Sequence, residues 1–140
     1  MGENAIDQMK DWAKGEIQQA EDALNSQMSQ LSDLNNKIER LQAAQRGLQA
    51  AMDELSSFKS QLNSIHSSLS SSQFKGTRRS KLDNQFQTLI EGVDGDKNLH
   101  QLNLNELGLK IGELQIEQAA MSVAISGTNG ILGDLYNMLS

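Results

Sequence analysis

The residues of this chain that could do chemistry are few, and their spacing works against them. His66 and His100 have no cysteine and no histidine neighbour to share a metal with. In a hairpin turning near residue 73, His66 faces residues around 80, well away from His100, so both read as partly exposed helix positions. Asp94-Gly-Asp96-Lys-Asn98 has the opening of a calcium loop. The match then fails, because Leu99 stands where the sharp turn needs glycine and Asn105 where a bidentate glutamate should close the sphere. Lys75, Arg78, Arg79 and Lys81 gather basic charge suited to an acidic partner or an anion, although a solvated hairpin tip is the simpler reading. No Gly-x-Ser-x-Gly, P-loop or dinucleotide fingerprint occurs, and the carboxylates are scattered over helix faces. The expectation is a protein that is not an enzyme and takes no metal or cofactor.

What must position these residues is a pair of long helices. Leu31, Leu34, Ile38, Leu41, Leu48, Met52, Leu55 and Leu62 fall on alternating three- and four-residue steps. Leu104, Leu107, Ile111, Leu114, Met121, Ile125, Leu132, Leu135 and Leu139 do the same. Such spacing lays one apolar seam along a helix, the pattern of a coiled coil. Two arms about a central break predict an all-α fold, an elongated antiparallel helical hairpin that assembles into a multi-helix bundle. The expected organisation is one domain over 1–140, with arm 1 over about 3–69, a turn over about 70–76 and arm 2 over about 77–139. Serines 67, 68, 70, 71 and 72 favour the turn, since their hydroxyls compete for the backbone. Glycines mark two candidate breaks in arm 2, at about 91–97 and at 126–130. In arm 1, Ala44, Ala51, Phe58 and Ile65 flank the seam and are expected to widen it.

Composition agrees with a rod. The chain has 140 residues, no proline to stop a helix, no cysteine, and only one tryptophan, one tyrosine and three phenylalanines. A helix of about 65 residues would be roughly 100 Å long at ~1.5 Å per residue. A net charge of −6 argues against nucleic acid, whose phosphates need a basic footprint. No apolar run approaches the ~20 residues that span a bilayer. The segment from Met1 to Asp7 has neither a basic region nor an apolar one, so no cleaved signal peptide is expected, and the protein is placed in the cytoplasm or on an export route that needs none.

Arm 2 carries a second stripe. With Leu104 and Leu107 at heptad positions a and d, Leu102, Leu109, Ile116 and Val123 all fall at f, which points away from the seam and is ordinarily polar. Beside them at b lie Gly112, Ala119, Ser126 and Gly133. One partner arm cannot cover both faces, so the stripe reads as a protein interface; the competing reading is a local irregularity that rotates these residues into the hairpin core.

The central segment Phe74-Lys-Gly76-Thr-Arg-Arg-Ser-Lys-Leu82-Asp-Asn-Gln-Phe86, after the heptad arm containing Ile38-Glu-Arg-Leu41-Gln-Ala-Ala, resembles the YwqH-like and LXG-associated helical proteins. These are related to the Trp-Xaa-Gly (ESX-type) hairpins of Gram-positive type VII secretion. The resemblance covers roughly residues 25–140. Phe74 stands where that family has tryptophan, and the Tyr-x-x-x-Asp/Glu export tail is not reproduced, since Ser140 follows Tyr136 by four. The resemblance implies an accessory protein that binds the helical N-terminal domain of an LXG-type toxin, with or without a second small helical protein. Phe74, Gly76 and Phe86 would shape the hairpin tip, and the stripe from Leu102 to Val123, with Gly112 and Ala119, would take the client helices. The rival expectations are a self-assembling structural coiled coil, such as a phage or secretion-filament component, and a SNARE-type tether suggested by Gln118 in the seam.

Overall fold

The computed structural model describes residues 2–70 and 76–140. It is an all-α helical hairpin in which α1, Glu3–Ser70, packs against α2, Thr77–Leu139; the described residues contain no strand. Most of the turn expected over 70–76, Phe74 and Lys75 included, lies outside the described residues.

Both helix starts are set by a glycine carbonyl. Gly2 accepts from the amides of Ala5 (3.1 Å) and Ile6 (3.3 Å), and Glu3 puts negative charge on the positive end of the dipole. Gly76 accepts from the Ser80 amide at 3.1 Å. Its φ of +69° is a left-handed conformation that strains any residue with a Cβ, so the chain enters α2 through a position where glycine is required.

The chain divides into two compact units, Met1–Arg40 with Ile111–Ser140, and Leu41–Lys110. In the first, Ile17, Leu132 and Leu135 form a buried cluster joined by Ala20, Leu24 and Leu139. In the second, Leu62, Phe86 and Val93 do the same with Leu55, Leu69, Leu82 and Ile90 around them. Within each unit the partner numbers fall on α2 as they rise on α1, which makes the pairing antiparallel. The expected heptad residues Leu55, Leu62, Leu132, Leu135 and Leu139 belong to these seams, which Ile17, Phe86 and Val93 carry beyond the two ladders. The best buried large one, Leu114, still keeps 4% of its surface. Two helices alone leave the large seam residues open at their edges, while the small Ala13 is fully covered.

Three expectations are corrected. α2 runs unbroken through Gly92–Gly95 and through 126–130. At the first place Val93 is buried and Asp94 is tied to Lys59; at the second Thr128 is buried and bonded across the pair, and this packing outweighs ~1 kcal/mol per interior glycine. The flanking residues of α1 do not widen the seam, because Ala44, Phe58 and Ile65 are exposed and only Ala51 is half-buried. A two-helix seam is one residue wide on each side, and the next position along faces water.

Two substitutions test this arrangement. Leu114→Ala should cost about 2–3 kcal/mol in urea unfolding, near the low end for a core leucine because its site is open on one side. Gly95→Ala, where a Cβ meets nothing within 4 Å, should instead stabilise by roughly 0.5–1 kcal/mol, since the helix continues there. A loss on Gly95→Ala would show that α2 bends at that point.

Candidate functional site

Because the seam takes one face of α2, the residues at f are left outside. Leu102 and Leu109 belong to the second unit and Ile116 and Val123 to the first. All four are exposed, and Leu109, Ile116 and Val123 keep 73%, 74% and 72% of their surface. They are therefore not rotated into the hairpin core. Ala119 is exposed as well, while Gly112 is half-buried. Solitary exposed leucines are ordinary, but Ile116 and Val123, at successive f positions, give the first unit an outward apolar face, as Leu102 and Leu109 do for the second.

In the first unit a groove of about 470 Å³ lies beside this face. Leu34 and Met121 line it with small walls at Ala120 and Ala124, and Asp33, Lys37 and Glu117 bring charge to its edge. A groove lined this way accepts a large apolar side chain from a helix laid alongside. Two alanines four apart on the flank of the seam, Ala120 and Ala124, are a signal for it that heptad spacing did not pick out.

The polar residues of the seam act as ties. In the second unit Lys59 Nζ donates to both Asp94 oxygens, at 2.9 and 3.2 Å. His66 Nε2 lies 2.6 Å from Asp83 Oδ1, and as a carboxylate only accepts, that nitrogen carries the proton. Arg79 Nε donates to both Asp83 oxygens at 3.2 Å, and the His66 ring stacks on Phe86 with centroids 4.7 Å apart. Phe86, expected at the hairpin tip, is thus part of the second unit's buried cluster. In the first unit the two ties along 118–128 are neutral: Gln118 donates to Asn35, and the Thr128 hydroxyl lies 2.9 Å from Gln27 Oε1. Tyr136 donates to Glu21, and that hydrogen bond, with desolvation and the Glu21 charge after it, pushes the phenol above its usual range.

These groups hold helices together and present no reactive constellation. Asp83 is engaged by both His66 and Arg79, and no three or more His, Asp or Glu side chains among the described residues are grouped to hold a metal ion. The Nδ1 atom of His100 is buried without a hydrogen-bond partner. No helix among the described residues is long and apolar enough to cross a membrane. Comparison with protein families, with curated proteins and with solved structures finds no match.

The Asp83 tie makes a pH prediction. The bond from His66, and after it Arg79, hold the carboxyl below its usual value against an opposing desolvation. A carboxyl whose folded pKa is depressed adds stability that is present above its unfolded value, and loses it as pH falls through the folded one. Thermal melts should therefore show an acid limb below about pH 4, and Asp83→Asn should lower Tm at neutral pH and flatten that limb. An identical acid limb in the variant would assign it to other carboxylates.

Proposed function

We propose that the chain is a non-enzymatic accessory protein of type VII secretion, which binds the helical N-terminal domain of an LXG-type toxin through the outward apolar face of α2. The observation that carries this reading is the exposure of Leu109, Ile116 and Val123 on a helix whose other apolar face is already buried. A helix apolar on two sides belongs in a bundle of more than two helices. The resemblance of the segment from Phe74 to Phe86 supplies the class of partner, and the groove beside Ala120 and Ala124 suits a side chain from a docked helix. A second small helical protein could complete the bundle. The protein acts in the cytoplasm, where it meets its client, or leaves with that client by a route needing no cleaved signal.

Light scattering coupled to size exclusion, on the chain alone and mixed with the product of the adjacent gene, tests this directly. The reading expects a defined heteromeric complex; a homo-oligomer indifferent to its neighbour favours a self-assembling structural coiled coil instead. Once a complex is in hand, Leu109→Glu and Ile116→Glu should each weaken it by at least roughly tenfold in calorimetry, with helicity unchanged because both sites are exposed in the hairpin. Unchanged affinity would remove the f face from the interface.

A further inference from the structure

Residues 118–133 of α2 contain no Asp, Glu, Lys or Arg. On the outward side of this stretch and just before it lie Gly112, Ile116, Ala119, Ala120, Val123 and Gly127, all within the first unit. A Cβ built on Gly112 or Gly127 meets nothing within 4 Å, so the hairpin's own packing does not require glycine at either place. Each still costs helix stability of about 1 kcal/mol against alanine. An uncharged, apolar helix side with small residues between its knobs suits another helix at close range.

We infer that this face pairs with the same face of a second copy of the chain, the two α2 helices running antiparallel about a two-fold axis between Ala119 and Ala120. The mirrored order of Gly112, Ile116 and Ala119 against Gly127, Val123 and Ala120 decides the partner, and charge decides the direction. Each copy has a net charge of −6, so copies repel unless they meet where charge is missing, and 118–133 is such a place. Parallel pairing would set Glu113 against Glu113 and Glu117 against Glu117. Antiparallel pairing about the stated axis sets Glu113 beside Ser126 and Glu117 beside Ser122 of the other copy. It also sets Ile116 beside Val123, Ala119 beside Ala120 and Gly112 beside Gly127, so knobs meet knobs and the smallest residues meet where the backbones come closest. This isologous contact is self-complementary, as a closed two-fold dimer requires. It stands apart from the toxin reading: a client helix would take the place of the second copy on this face, and either can fail without the other.

Sedimentation equilibrium on the full chain alone tests the dimer. The wild type should be dimeric at micromolar concentration, and Val123→Lys and Gly127→Leu should each weaken self-association by at least roughly tenfold. Circular dichroism should show undiminished helicity in both, since Val123 is exposed and the space at Gly127 is open. Because the chain has no cysteine, direction can be read from single thiols. Ala120→Cys, beside the axis, should crosslink to itself on oxidation, and Glu113→Cys should not. A wild type that stays monomeric, variants that dimerise as tightly as it does, or crosslinking through Glu113→Cys in place of Ala120→Cys would each overturn the inference. A monomer that forms a complex only with the toxin domain would do so too, while leaving the proposed function standing.

Discussion

A helix in a two-helix pair can bury only the side that faces its partner, and most of what distinguishes this chain follows from that limit. α1 buries Ala13 and Ile17, Leu34 and Ile38, and Leu62 on the seam, and its exposed apolar residues, such as Trp12, Met28 and Phe58, are scattered along it. α2 has a full seam of its own and a second apolar side with no partner in the hairpin. The seam fixes how α2 is rotated, through Ile111, Leu114, Leu132 and Leu135, and that rotation alone sends Ile116 and Val123 into water. Cost follows too. Each Å² of apolar surface removed from water brings ~25 cal/mol, and the outer side of α2 removes almost none within the hairpin, so a further packed layer there would add stability that the pair alone lacks.

The architecture was legible because heptad spacing survives almost any local disturbance. Seam residues three and four apart specified which side of each helix faces inward, and the same register placed Leu102, Leu109, Ile116 and Val123 outside. Local propensity was the weaker guide. Gly92, Gly95 and the 126–130 segment read as breaks when taken alone, yet Val93 and Thr128 sit buried on the seam and the helix continues past both places. The polar ties were missed for the opposite reason. Lys59 and His66 continue the three-four stepping between Leu55, Leu62 and Leu69, but a search for apolar residues passes over them. Their partners Asp94 and Asp83 could be found only by pairing the two arms residue against residue.

The character of those ties bears on what each unit can bear on top of it. In the second unit they are charged, Lys59 with Asp94 and His66 with Asp83, and their side chains remain about a third or more exposed. Enclosing such pairs under another layer would strip their water, a penalty that the mutual attraction does not always repay. Along 118–128 the ties are an amide with an amide and a hydroxyl with an amide, Gln118 with Asn35 and Thr128 with Gln27. A neutral pair that is already hydrogen-bonded gives up little when it is covered, and it still fixes register against a slip of one turn. The neutral seam and the uncharged outer face occupy the same turns of α2. Both are what a helix needs in order to sit in the middle of a bundle, and the ionic seam of the second unit is what a helix pair needs in order to stay wet.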